Sequence, residues 1–528
     1  MNSNEGNHLG SIKCTQNPYI NQPNMQAQSM TQPYAQPIVK TGSFAFFRAV
    51  CLPSILFALL ITFCRYNNEG SILDPVWAAG ALGYILFTTK KLHQPWNKKM
   101  IFPSASLLLF SISNMLTGNP TIILMNSLAC DLLVILISIL AFYPNQRWQI
   151  GQWIAAGCSS ICGSIGALGD WGQDLSEAIK QRNKNSHIIQ IIVGLSITLP
   201  LTVIIIMLLA SADSVFRSMV IDLFQFDFWE IITKTMMFAF FYFGSYCGIR
   251  FLNKKRTLIR EENAKKHHPL TAYIILLPIT AVYILFSWIQ FAYLMIGNMT
   301  LPEGMTYAKY AHQGFNQLLA VVVINLIIVL FTVGFFGRNK MLKTILSLFT
   351  ACTYVMIASA FIRIFMYIGV YHLTELRFLV VWGLSVVSLL FAIVFIYIFS
   401  EKFHMARWFF VVGTLGCLAL SYCRMDAIIA KYNITMIHSL SEAHAIDEFI
   451  DYNSRYDLYY NDGEEFYVDE STDYLANLST DAADVIYNTG NEKLIKAYSL
   501  RNDYAENDVA YSWRNTNLSY EHFRDYLK

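Results

Sequence analysis

The sequence predicts an all-α polytopic membrane protein with about eleven transmembrane helices and a small, mainly helical, extracytoplasmic C-terminal domain. Three observations lead there. Only 14% of the residues are charged and 55% are hydrophobic, against roughly 25% charged in ordinary soluble domains. The apolar residues are grouped in blocks of about twenty, the length that crosses a hydrocarbon core of about 30 Å. Lys and Arg mark every second loop, as the retention of basic residues on the cytoplasmic side requires. In lipid the backbone must satisfy its own hydrogen bonds, so spans of this length are expected as helices, and the shorter alternating segments of a barrel are not seen.

Residues 1–42 are rich in Asn, Gln and Pro and nearly free of aliphatic residues, a composition that predicts a disordered cytoplasmic leader. The first apolar block stands far from the N-terminus and lacks a small-residue cleavage site, so a retained helix is expected rather than a signal peptide. Spans are predicted near 43–64, 72–89, 100–117, 121–143, 188–210, 229–250, 270–297, 316–337, 343–370, 376–400 and 407–423. Lys90, Lys91, Lys98 and Lys99 make the loop after the second span cytoplasmic, and the stretch Arg250–His268 is the most basic loop. The intervening loops carry only Arg65, Arg217, Lys309 and Arg377. The N-terminus is therefore expected inside the cell and, with an odd number of spans, the tail outside.

Residues 147–168 form an amphipathic stripe of Ile150, Trp153, Ile154, Cys158, Ile161, Ile165 and Leu168. A twelfth span here would move Lys180, Arg182 and Lys184 to the wrong side, so an interfacial helix or re-entrant segment on the cytoplasmic side is expected. The transmembrane domain, residues 43–423, then gives way to a tail domain, residues 424–528. That tail holds 20 acidic against 9 basic residues, a net charge of −11, and thirteen tyrosines. Three- and four-residue apolar spacing in DAIIAKYNI and DYLANLSTDAADVIYN predicts helices, the second capped by Ser479 or Thr480. Tyr460–Ser471 reads as a loop, and no segment matches a calcium-binding loop.

The whole-chain charge of +2, with no basic patch interleaved with aromatics, excludes a nucleic-acid partner. Of the ten cysteines all but Cys14 and Cys423 lie in or beside apolar segments, where they behave as small hydrophobes. Cys158 and Cys162 share a helical spacing, but further ligands are missing, so no metal is expected. Signatures for zinc hydrolysis, phosphate cradling, a nucleophile elbow or dinucleotide binding are absent. No cofactor is expected, and an enzyme is the less favoured class.

Five stretches resemble a bacterial multi-pass membrane family known only as a domain of unknown function: LLASADSVF (208–216), TYAKYAHQGFNQLL (306–319), RIFMYIGVYHLTELR (363–377), DAIIAKYNI (426–434) and DYLANLSTDAADVIY (473–487). The resemblance covers roughly residues 190–490. It implies a location in the bacterial cell membrane and an architecture, but no reaction. On the predicted topology all five stretches lie at or beyond the outer ends of helices, which places the shared feature on the extracytoplasmic face.

Candidate functional residues follow from charge in or near the membrane. Asp131 lies ten residues into the fourth predicted span, where an isolated charge costs about 2.5–3.5 kcal/mol. It could serve proton or cation coupling, or be a structural carboxyl bonded to a neighbour such as Asn325. Arg363, Tyr367 and Tyr371 share one helix face near the outer boundary, with Arg377 beyond them and Thr374 placed to cap the next span. Arg363 either snorkels to the headgroups or pairs with Asp213, the acid left over once Lys234 is matched with Glu230. Three functional classes fit: a sensor or interaction scaffold whose tail binds an envelope protein, a secondary transporter using Asp131, and an envelope enzyme acting on lipid-linked material. The lipid bilayer is the one partner common to all three.

Overall fold

A computed structural model of the protein describes residues 42–68, 70–94, 97–143, 148–181, 228–254, 268–292, 315–337, 339–400, 403–442, 457–461, 464–468, 470–507, 514 and 516–527, with isolated positions between 194 and 216. The leader before Gly42, most of the fifth predicted span, the centre of the most basic loop and the residues 306–314 lie outside the described residues. The helices are α1 (Ser43–Arg65), α2 (Asp74–Lys91), α3 (Ile101–Leu116), α4 (Pro120–Phe142), α5 (Ile150–Gly166), α6 (Leu168–Gln181), α7 (Phe228–Lys254), α8 (Leu270–Phe291), α9 (Phe315–Phe335), α10 (Lys340–Tyr371), α11 (Glu375–Phe399), α12 (Met405–Tyr422) and α13 (Met425–Glu442). The tail continues with strands β1 (Asp457–Asn461) and β2 (Glu464–Val468) and helices α14 (Glu470–Ala476), α15 (Ala483–Tyr487), α16 (Glu492–Asn507) and α17 (Leu518–Leu527).

Among the described residues eight helices are long and apolar enough to cross a membrane: α1, α3 with its preceding turn, α4, α8, α9, α10, α11 and α12. The second and sixth predicted spans are present as α2 and α7 but fall outside this set. Asp74, Lys90 and Lys91 crowd the short α2, and Lys234, Tyr242, Ser245 and Tyr246 dilute α7. Helix starts follow local chemistry. Asn119 accepts a hydrogen bond from the Ile122 amide at 3.0 Å, with Pro120 as the first helical residue, and so begins α4. Asn339 does the same for α10 through the Leu342 amide at 2.8 Å. At 32 residues, α10 is about 48 Å long and extends well past a hydrocarbon core of about 30 Å.

Two apolar clusters organise the packing. One joins α1 to α7 through Phe46, Trp77, Phe110, Ile137 and Tyr246. The other joins α8 to α13 and also takes in the tail through Leu475, Ile486, Tyr498 and Phe523. Helix α12 ties them together. Ser113 donates to the Ser421 carbonyl at 2.8 Å, and the Ser421 hydroxyl donates to Asn126 at 2.5 Å.

Helix α5 starts and finishes at the same end of the bundle. Before it, Trp148 packs on Tyr143 at the end of α4 and Gln149 lies against Gly334 near the end of α9; at its finish Gly163 lies against Phe251 near the end of α7. Tyr143 donates to the Leu252 carbonyl at 3.0 Å, so these helix ends are level. Ala156 and Ser160 face inward, whereas Ile154, Ile161 and Ile165 are exposed. Helix α5 thus turns an apolar ridge outward at that end of the bundle. Next to it, α6 is fastened to α7 by two ion pairs one turn apart, Asp170 with Lys254 at 2.8 Å and Asp174 with Arg250 at 2.6 Å. Asp174 is completely buried and also accepts from the Tyr246 hydroxyl at 2.9 Å. Arg250, expected at the start of the most basic loop, is a buried anchor.

The tail departs from expectation in one element. Tyr460–Ser471, read as a loop, contributes to an antiparallel hairpin whose register runs from Asp457 opposite Val468 to Asn461 opposite Glu464. The sequence carried that signal in its Tyr, Phe and Val content on either side of Asp462-Gly463, a favoured two-residue turn.

Candidate functional site: a carboxylate clasp between the tail and the helix bundle

The turn between α3 and α4, Thr117-Gly118-Asn119, receives two aspartates from beyond the last apolar helix. Asp481 sits in a short 3-10 turn just before α15. Its carboxylate accepts from the Thr117 hydroxyl at 2.5 Å, the Gly118 amide at 2.8 Å and the Ser519 hydroxyl at 2.5 Å. Asp426, in the first turn of α13, accepts from the Asn119 amide group at 2.9 Å, from the Ser479 backbone amide at 3.1 Å and from the Ser479 hydroxyl. Asn119 therefore uses its oxygen to start α4 and its nitrogen to hold the tail. Both carboxylates are buried, Asp426 at 2% and Asp481 at 5% exposure. Gly118 is required by close approach, since a Cβ there would stand 2.1 Å from the Thr480 hydroxyl.

Further contacts brace this clasp. The Tyr498 hydroxyl donates to the Ser479 carbonyl at 2.6 Å. Arg424 donates to the Asp481 carbonyl at 2.9 Å and pairs with Asp484 at 2.8 Å, while His522 meets the other Asp484 oxygen at 2.7 Å. Asn433 brackets Leu373, donating to its carbonyl and accepting from its amide, each at 2.9 Å. The Glu375 amide, first in α11, donates to the Tyr474 hydroxyl at 2.9 Å.

The donors on Asp426 are all neutral, and burial pushes its carboxyl above the ordinary carboxylate range, with the Ser479 and Asn119 bonds opposing the shift. Asp484 goes the other way. Burial raises it, but bonds from Arg424 and His522 outweigh that and hold it below the ordinary value. The sign for Asp426 follows from linkage: a group whose pKa is raised on docking favours the docked state at low pH, and that contribution is lost as pH climbs through the raised value. Asp426→Asn keeps an acceptor for all three donors and removes the titration. Docking in this variant should fall less with rising pH than in the wild type, with Asp484 common to both. Trypsin sensitivity of α16 measured between pH 5 and 8 checks it; parallel pH profiles would refute it.

Residues expected from the sequence are distributed as follows. Tyr367, Tyr371 and Arg377 come together: the two rings are 4.9 Å apart, and the Arg377 guanidinium lies 4.3 Å over Tyr367. Arg377 also donates to the Tyr371 and His372 carbonyls, closing the end of α10 where His372 takes a left-handed conformation, φ 63°. Thr374 does precede α11, but its side chain makes no capping bond; the tail's Tyr474 meets the first amide instead. Ser479 likewise precedes its turn while its hydroxyl serves Asp426. Lys234 and Glu230 pair at 2.5 Å as anticipated.

Asp131 bonds to Arg65 at 2.9 Å, not to Asn325, and is 52% exposed on the outside of the bundle. Because Arg65 closes α1, Asp131 is within arginine reach of a helix end rather than isolated at mid-depth. Asn325 is engaged with Tyr283 at 2.7 Å and Thr353 at 3.1 Å. Arg363 is buried and Asp213 exposed; among the described residues no ion pair joins them, and Asp213 accepts instead from the Phe216 amide at 3.4 Å. The described residues include no group of three or more His, Cys, Asp or Glu able to hold a metal ion. What this arrangement does chemically is hold one part of the chain against another.

Eight apolar helices and a polar tail fastened to the turns at one end of their bundle define an integral membrane protein. The chain belongs to the family described as domain of unknown function DUF4153, whose model matches residues 104–489. No curated protein and no solved structure matches it. The matched range contains Thr117, Gly118, Asn119, Asp426 and Asp481 and excludes α1, α2 and α17.

Proposed function

We propose that this protein is a sensor of the bacterial cell envelope, crossing the membrane about eleven times with an extracytoplasmic tail that binds an envelope protein and relays the event to the helices. The observation that carries the reading is the clasp. Two buried carboxylates join tail to bundle through neutral donors alone, a contact that opens without separating any ion pair of its own. Three of the five stretches that resemble the family adjoin one another here: Leu373 with Asn433, Glu375 with Tyr474, and Asp426 with Ser479. The basic loops at the opposite end from the acidic tail support an extracytoplasmic placement of the clasp. Asp131 faces out of the bundle beside Arg65, which supports a surface role and adds nothing for transport.

Locking the clasp separates a sensor from a static scaffold. Gly118→Cys combined with Thr480→Cys places two thiols where a Gly118 Cβ would lie 3.4 Å from the Thr480 Cβ, close to the ~3.8 Å usual for a disulfide. In cells deleted for the protein, the reduced pair should restore the parental lipid and metabolite profile. The oxidised pair should fail, and reductant should rescue it. Full restoration by the oxidised pair would show that release is not needed and would overturn the sensing role.

A further inference from the structure

The last described residues cross the same end of the bundle and reach parts of the chain that lie outside the family match. Arg514 donates to the carbonyls of Phe63 at 2.9 Å and Tyr66 at 3.2 Å, and its guanidinium lies 4.9 Å over the Phe63 ring. It thus closes the C-terminal end of α1, where carbonyls lack intrahelical donors. The Thr516 carbonyl accepts from the Ile72 amide at 2.9 Å. The Asn517 side-chain amide donates to the carbonyls of Gly70, Asn114 at 3.2 Å and Thr117 at 2.8 Å, while its oxygen accepts from the Ser519 amide at 2.8 Å and starts α17. Gly70 presents its carbonyl from a left-handed conformation, φ +74°, with Ile123 packed where a side chain would stand.

The receiving surface is therefore built of main-chain groups: five carbonyl oxygens, from Phe63, Tyr66, Gly70, Asn114 and Thr117, and the Ile72 N–H. Such a surface reads a chain segment through one arginine and one asparagine. Beyond it α17 is held by buried Phe523, by Tyr526 stacked 4.7 Å from Tyr487, and by His522 on Asp484.

We infer that the groove between the α1–α2 loop and the α3–α4 turn is an acceptor site for a peptide of the pattern Arg-x-x-Asn-x-Ser. In this chain it is filled by Arg514, Thr516 and Asn517, a releasable strap that ties α1 and α2 to the family domain. The inference does not depend on the tail acting as a sensor.

The test uses the full-length protein in detergent. In the wild type the bond after Arg514 should resist trypsin, because the Arg514 side chain is engaged on α1. In Asn517→Ala that bond should be cut about ten-fold faster, the effect of removing one donor from several buried acceptors, while Lys493, Lys496 and Arg501 in α16 are cut at the wild-type rate. A labelled synthetic peptide spanning residues 511–528 should bind the Asn517→Ala protein one to one, and the same peptide carrying Asn517→Ala should not. An unchanged rate at Arg514, a matching acceleration throughout α16, or no binding of the wild-type peptide would each overturn the inference. The first would mean that Asn517 does not hold the strap, the second that the strap is not a separate device, and the third that the groove is no acceptor.

Discussion

Asp481→Ala should free the tail from the helix bundle. Three groups lose their acceptor at once: the Thr117 hydroxyl, the Gly118 amide and the Ser519 hydroxyl. A stranded buried donor costs about 1–3 kcal/mol, and the two hydroxyls can turn to other partners while the amide cannot, so a total of about 3–5 kcal/mol is expected. Asp481→Asn should cost about 1 kcal/mol, because its oxygen can serve Gly118 and Ser519 while its amide donates to the Thr117 oxygen. The readout is tryptic cleavage at Lys493, Lys496 and Arg501, with melting of the purified protein alongside. Wild-type protection of these sites in Asp481→Ala would remove the carboxylate from the centre of the account.

The second large effect is at the opposite end. Arg250→Met leaves the Asp174 carboxylate, at 0% exposure, without its cation. Breaking a buried pair in this way costs about 3–5 kcal/mol, whereas replacing both members with apolar residues of similar volume is often nearly neutral. Arg250→Met and Asp174→Leu should therefore each loosen α6, and the double variant should recover most of the loss. Trp171 reports on this, since its indole donates to the Tyr242 hydroxyl at 3.1 Å. Its emission should shift to the red in the single variants and return in the double. Strictly additive losses would show that the pair does not act as a unit.

The apolar helices were legible because lipid imposes a single rule: about twenty apolar residues in a row, helical throughout. Eight such helices are present among the described residues, with α4 and α10 close to their anticipated bounds. What escaped was long-range pairing. Asp131 stands out by its depth in an apolar run, but nothing in the sequence says that Arg65, 66 positions earlier, reaches it. The clasp joins Thr117 to Asp481 across 364 positions. Its signals were local and faint: a Thr-Gly-Asn-Pro turn between two apolar blocks, and aspartates in a tail already so acidic that none stood out. The family resemblance came nearer. Its stretches were anticipated on one face, and three of them do adjoin, although the α3–α4 turn that receives two of these was not among them. Arg363 and Asp213 were matched by elimination of charges, a procedure that ignores backbone groups such as the Phe216 amide that meets Asp213.

The direct test of the clasp is chemical. With Gly118→Cys and Thr480→Cys in the full-length protein and a protease site placed in the segment 443–456, mild oxidation in native membranes followed by cleavage should leave the two fragments joined until reductant is added. A disulfide at this pair requires the α3–α4 turn and the tail to be in contact, as the hydrogen bonds of Thr117 and Gly118 to Asp481 demand. Fragments that separate without reductant, with both new thiols open to alkylation, would contradict a docked tail.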